Sequence, residues 1–158
     1  MNINSTSGHL EFPSQVVDHN PSPVTDCGGA HVHEVVLSGA AQTSLEVMDL
    51  GLNTVSHYAT TAHLIRTPPL DIISMPHTGS GPRHMVIHPT APWAFVINEL
   101  DSTVSSLPYH RASGRLSDAT STVSSLRPEE NSTDMAGGGE MKIVLHATSL
   151  SILLTFFS

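Results

Sequence analysis

The sequence predicts an all-β fold that forms part of a β-propeller, and three observations predict it. The first is an imperfect repeat. His33-Glu34-Val35-Val36-Leu37, Val47-Met48-Asp49 and Thr54-Val55-Ser56 return as His84-Met85-Val86-Ile87-His88, Val96-Ile97-Asn98 and Thr103-Val104-Ser105. The opening histidines lie 51 positions apart and the Thr-Val-Ser endings 49 apart. Short β-type runs recurring at that period are the signature of propeller blades. The second observation is composition: 39% hydrophobic, 4% aromatic and 13% charged residues, with Ser, Thr, Gly and Pro filling the remainder. That mix suits a turn-rich β protein and is poor for a helical bundle. The third is that no stretch sustains a helical period.

The elements follow in order. Residues 1–29 are polar and carry Pro13, Pro21, Pro23 and the Gly28-Gly29 break, so they read as a loop or poorly ordered arm. Residues 30–58 hold the first copy. Its β-type runs are 35–37, 44–48 and 54–58, with Asp49-Leu50-Gly51 as a turn. Leu64-Ile65 and Ile72-Ile73 flank Pro68-Pro69, and Gly79-Ser80-Gly81-Pro82 is the next turn. In the second copy 84–88, 93–98 and 103–107 read as strands, with Pro89-Thr90-Ala91-Pro92 as a turn and Trp93 and Phe95 in the core. Residues 110–139 are mainly loop, with a short strand expected near 122–126. Met141-Lys142-Ile143-Val144-Leu145 then resembles the start of a third copy. The apolar tail 146–158 is too short for the ~20 residues of a membrane span; it is expected to be a strand or a segment foreign to the fold.

Charge narrows the partners. The formal net charge is -8 with only 6 Lys plus Arg, which argues against a nucleic acid or an anionic membrane surface. A local Arg can still hold a small anion. Cys27 is the sole cysteine, so no disulfide closes within the chain. The first residues show neither a basic nor an apolar leader segment, and a cytoplasmic location is the expectation. The sequons at Asn4 and Asn131 read as chance matches.

The run Gly79-Ser80-Gly81-Pro82-Arg83-His84-Met85-Val86-Ile87-His88-Pro89, followed by Ala94-Phe95-Val96-Ile97-Asn98-Glu99-Leu100, resembles the lactonase-type seven-bladed β-propellers. That family includes propeller-type 6-phosphogluconolactonases and 3-carboxy-cis,cis-muconate lactonising enzymes. Ala30-His31-Val32-His33-Glu34-Val35-Val36 and Asp49-Leu50-Gly51 resemble the preceding blade, and 131–138 with Glu140 resemble the approach to the following one. The likeness covers roughly residues 27–145. The Ser38-Gly39-Ala40-Ala41 turn departs from the pattern: it lacks a proline and is one residue longer. A full ring needs about seven such repeats, so the expectation is a partial propeller of about two blades plus the start of a third, spanning 30–145.

Three residues are candidates for chemistry. Arg83 can grip carboxylate or phosphate oxygens in a bidentate way. Glu99 can move a proton or steer water; the bland alternative for both is an ion pair tying two loops. His33 occupies the position of the family's active-site histidine, and imidazole titrates near neutrality. His31 and His33 share a face at metal-ligand spacing, but no further ligands follow at a recognisable interval. His84, next to Arg83, reads as structural. Gly137-Gly138-Gly139 lacks the context of a phosphate loop, and no Gly-x-Ser-x-Gly elbow occurs.

The resemblance implies a lactone-handling enzyme that hydrolyses a sugar-acid lactone, with catalytic His33, Arg83 and Glu99 and no metal or cofactor. The alternatives are a carboxymuconate cyclase, which forms a lactone, and a non-catalytic propeller remnant. Because two copies and a fraction carry only part of a ring, an inactive truncated piece is a further expectation. The expected partner is a small anionic lactone or carboxylate.

Overall fold

A computed structural model describes residues 6–7, 15–19, 29–61, 64–126, 138–146 and 149–156, the last two segments as backbone. Alternating apolar and polar residues with β-branched side chains favour a pleated, half-buried backbone. They give ten strands and, among the described residues, no helix. The first four are β1 (Val32–Ser38), β2 (Ser44–Asp49), β3 (Thr54–Ala59) and β4 (Asp71–Ser74), which form one antiparallel sheet in the order β1-β2-β3-β4. β5 (Pro82–Ile87), β6 (Trp93–Asn98), β7 (Thr103–Pro108) and β8 (Ser121–Ser124) form a second in the order β5-β6-β7-β8. Each is a four-stranded meander in sequence order, as a propeller blade is. β4 and β8 complete sheets for which the repeat itself showed only three runs.

β9 (Gly138–His146) and β10 (Ser149–Phe156) pair as an antiparallel hairpin. β5 lies against β1 on one side and against β9 on the other, so β1, β5 and β9 are successive first strands of adjoining units. The stretch 131–137, the sequons and Cys27 lie outside the described residues.

The ladders refine the repeat. Val35 pairs with Val47 as Met85 pairs with Val96, and Glu34 pairs with Met48 as His84 pairs with Ile97. Glu34 is therefore the counterpart of His84, and His33 the counterpart of Arg83. A β-bulge makes the ladder skip each of these last two, between Val32 and Glu34 and between Pro82 and His84. The β9–β10 ladder repeats the feature at Gly139, between Gly138 and Glu140. The offset then falls from 50 to 49 because the matched ladder pairs Leu37–Leu45 and Ile87–Ala94 enclose connections that differ by one residue, the first being the longer.

The main core lies between the sheets. Met48, Val55, Ile73 and Met75 of the first pack against Met85, Ala94, Val96, Leu107 and Tyr109 of the second. Residues paired across antiparallel strands share a face, so each sheet turns one set toward its predecessor and the other toward its successor. Ile97 and Val104, with Val86 and Phe95, form the successor face of the second sheet. Trp93 and Phe95 are only half-buried; Ala94 and Val96, with no exposed surface, take the central places expected of them. On the first sheet's predecessor face, residues 15–19 lie across Leu45, Val47 and Tyr58. Gln15 bonds both backbone groups of Ile65, and His19 bridges Asp49 and Tyr58. Among the described residues no helix is long and apolar enough to cross a membrane.

Candidate active site

The site is built at the starts of β1 and β5. A bulge adds an unpaired residue, bends the strand and re-aims that residue's side chain. The two bulge residues here are His33 and Arg83, at matched positions on adjoining strands. What puts Glu99 beside Arg83, sixteen positions away in sequence, is the β5–β6 register: Pro82 pairs with Asn98, so the residues just beyond each become neighbours. Arg83 Nη1 lies 3.4 Å from Glu99 Oε2, and both side chains keep some solvent access, 20% and 26%. That oxygen has no hydrogen-bond partner among the described residues. The contact is one of charge, with acceptor capacity left over.

The loop feeding Arg83 is tightly held. Glu99 N–H donates to Gly81 O at 2.8 Å and Leu100 N–H to Ser80 O at 3.0 Å. Gly81 N–H donates to Asn53 Oδ1 at 3.0 Å, which ties this loop to the first sheet. Gly81 has φ of 68°, and a Cβ there would stand 2.6 Å from Leu100 Cγ. Only glycine meets both demands.

His33 sits in the field of this pair. Its imidazole pKa is lowered, first by partial burial and next by the Arg83 guanidinium; Glu99 opposes the shift, while His84 and His31 add to it. His33 is thereby kept neutral at pH 7, the form that can accept a proton. The three residues read from the sequence share one electrostatic neighbourhood.

Glu34 was missed. It follows His33 on β1 and reaches across to β5: Met85 N–H donates to its Oε2 at 2.6 Å, and His84 Nδ1 lies 3.3 Å from its Oε1. His84, read as structural, is thus the ion-pair partner of a residue adjoining His33. No motif marked Glu34; the signal was a carboxylate directly after a candidate histidine in the first copy. The backbone N–H of His31 is bonded to Asp49 Oδ1 at 2.8 Å.

A second polar cluster is buried between the sheets. Glu46 and His57 are register partners; the Ser38 hydroxyl donates to Glu46 Oε1 at 2.7 Å, and His57 Nδ1 lies 2.6 Å from the same oxygen. Glu46 is fully buried, which raises its carboxyl pKa despite the hydrogen bonds from Ser38 and His57. It lines no cavity with Arg83 and serves the blade boundary.

Comparison with known proteins agrees with this architecture. Over 54 residues the chain is 39% identical to a 6-phosphogluconolactonase of Enterobacter sp. (strain 638), a match that covers 34% of this chain and 16% of the relative. A solved protein from Lactobacillus plantarum superposes with a TM-score of 0.70 at 24% identity, over all of this chain and 49% of that one, a likeness of fold. The periplasmic gluconolactonase of Pseudomonas aeruginosa superposes with a TM-score of 0.64 at 25% identity, over 80% of this chain and 34% of that one. The chain therefore matches at most about half the length of each of these proteins. The family model described as "Lactonase, 7-bladed beta-propeller" matches residues 1–147. With its meander blades, shared register and repeated bulges, this chain belongs to the lactonase family of seven-bladed β-propellers.

Proposed function

We propose that this chain carries a lactone-handling site, and that its reaction is 6-phosphogluconolactonase-like hydrolysis of a sugar-acid lactone. The observation that carries the reading is the convergence of Arg83, Glu99 and a neutral His33 at two matched bulges. Water attacks the ring carbonyl, the carbonyl oxygen gains charge, and the ring C–O bond breaks to release a hydroxy acid. Arg83 stabilises the developing oxyanion or holds the substrate's anionic group. Neutral His33 accepts the proton from the attacking water and delivers it to the departing ring oxygen as the C–O bond breaks. Glu99, whose side chain keeps 26% of its solvent access, orients that water and balances the Arg83 charge. The names of the Enterobacter and Pseudomonas relatives, a 6-phosphogluconolactonase and a gluconolactonase, support the substrate class.

The expected substrate is small and anionic, and no metal or organic cofactor enters the scheme. A cytoplasmic location belongs to the reading; a periplasmic or secreted pool on cell fractionation would count against it. The direct test is stopped-flow hydrolysis of 6-phosphoglucono-δ-lactone by the folded full chain, corrected for spontaneous opening, with 3-carboxy-cis,cis-muconate as the cyclase control. Arg83→Ala should lower kcat/KM by about 100-fold, as loss of an oxyanion donor does. Folded protein that turns over neither substrate would sink the enzyme reading.

A further inference from the structure

The outer edges of the three sheets are built differently. β4 and β8 close the first two sheets with four residues each, largely exposed and bounded by Asp71 and Ser74 or by Ser121 and Ser124. Short, polar edge strands are how sheets avoid pairing with another chain. β10 has neither protection. It runs for 8 residues, Ser149–Phe156, and pairs with β9; among the described residues no strand pairs with its other edge. It holds no charged residue, no proline and no glycine. Alternate N–H and C=O groups of an antiparallel strand point away from its partner, and a second strand is what meets them at matching intervals.

Position and pattern say which strand fits. β9 lies against β5, so β9 is the first strand of its unit and β10 the second. In the other two sheets the second strand meets an antiparallel third, β3 or β7, and that third an antiparallel fourth. The open edge of β10 faces the place of such a third strand. Strand alternation divides β10 into two sets: Leu150, Ile152, Leu154 and Phe156 in one, and Ser149, Ser151, Leu153 and Thr155 in the other. Ser151 is exposed. Two identical strands paired antiparallel about a two-fold axis set residues of the same set opposite each other. Centred on Leu153, the pair opposes Ile152 to Leu154 and Leu150 to Phe156 of the other copy, and Ser151 to Thr155. Apolar residues meet apolar ones, hydroxyls meet hydroxyls, and no like charges oppose the pairing.

We propose that β10 is a self-association edge: two copies of this chain pair β10 with β10 antiparallel about a two-fold axis, making one four-stranded sheet in the order β9-β10-β10-β9. That sheet has the strand number of the other two, and the closed symmetry leaves no further β10 edge to extend. The edge lies on the far side of β9 from β5, so the pairing does not depend on the reaction read at Arg83.

Sedimentation of the full chain across a concentration series tests the pairing, with hydrogen exchange read by mass spectrometry at the two ends of the series. A species of twice 16.8 kDa should form as concentration rises. β10 peptides should gain protection with it, while β4 and β8 peptides should not. Ser151→Lys combined with Leu153→Lys charges the set that includes exposed Ser151 and leaves the other set intact; it should raise the dimer dissociation constant by at least about tenfold. Val35→Lys, on the exposed face of the first blade, should leave the dimer unchanged. A chain monomeric throughout would overturn the proposal. So would species that grow without limit, or a dimer that Val35→Lys dissolves and the β10 lysines spare. If the lysine variant does not fold, the concentration-dependent protection of β10 in the unaltered chain decides: a dimer that forms without it would overturn the pairing.

Discussion

The two complete blades share one skeleton and differ in what their faces meet. Strand order, pairing register and the bulge on the first strand are common to both. Yet Met85 is 3% exposed and its counterpart Val35 is 52% exposed. Both side chains lie on the predecessor face of their blade. The second blade has a predecessor, which supplies Met48, Val55 and Ile73. Among the described residues, the first blade's face carries only residues 15–19, which leave Val35, Leu37 and Ile72 exposed. Burial in this architecture is thus a property of the blade boundary, as expected of repeats that stabilise one another through their interfaces.

The boundary also carries the candidate site. Glu34 of the first blade meets His84 and Met85 of the second across it, and the first blade buries its Glu46–His57 pair. At the register positions of Glu46 and His57 the second blade has Phe95 and Ser106. Blades with the same backbone can therefore present a polar pair or an aromatic ring to the next.

The largest expected effect tests the burial contrast. Met85→Ala should cost about 2–5 kcal/mol by opening a cavity in the interblade core. Val35→Ala, at the matched position, should stay within about 0.5 kcal/mol. Urea denaturation of the two variants checks this, and equal losses would break the contrast.

A smaller effect is expected at the buried carboxylate. Glu46→Ala leaves His57 and Ser38 without their acceptor and should cost about 1–3 kcal/mol in all, since a cavity beside Ser38 can admit water. The raised pKa of Glu46 means that the folded state holds its proton more tightly than the unfolded chain. This stabilising contribution is fully present below the ordinary value of 4.5 and is lost as pH rises through the folded pKa. Glu46→Gln mimics the neutral acid, so its stability should fall less than wild type over that window. Chemical denaturation at a series of pH values reads the difference, and parallel curves would show that Glu46 ionises at no cost.

The smallest effect concerns His33. Its lowered pKa keeps it neutral somewhat below the ordinary 6.5. For the proposed lactone hydrolysis, the acidic limb of the pH profile should therefore lie below 6.5, and a limb above 6.5 would count against a lowered His33 pKa. Because the unfolded chain binds this proton more readily, His33 should also erode stability slightly as pH falls below 6.5.

Much of this was legible in the residues. The Thr-Val-Ser endings and the Val-rich runs gave the blades because β-branched periodicity is a local property. The Gly-Pro-Arg-His run singled out Arg83. β4 and β8 were harder, being short and half-exposed, with outer-edge sequences such as Asp71-Ile72-Ile73-Ser74 that do not alternate cleanly. The alignment of His33 with His84 was natural from identity but one residue out in register.

By itself, the sequence determined the fold class and the blade period and nominated His33, Arg83 and Glu99 as candidates, since strand propensity, turn chemistry and side-chain type are written residue by residue. Only the tertiary structure decided that His33 and Arg83 are equivalent bulge residues, that Glu99 lies 3.4 Å from Arg83, and that Glu34 joins them across the blade boundary. The physical reason is that a bulge and an interblade contact exist only once two strands or two sheets have chosen a register, and register is set by pairing and burial between segments far apart in the chain.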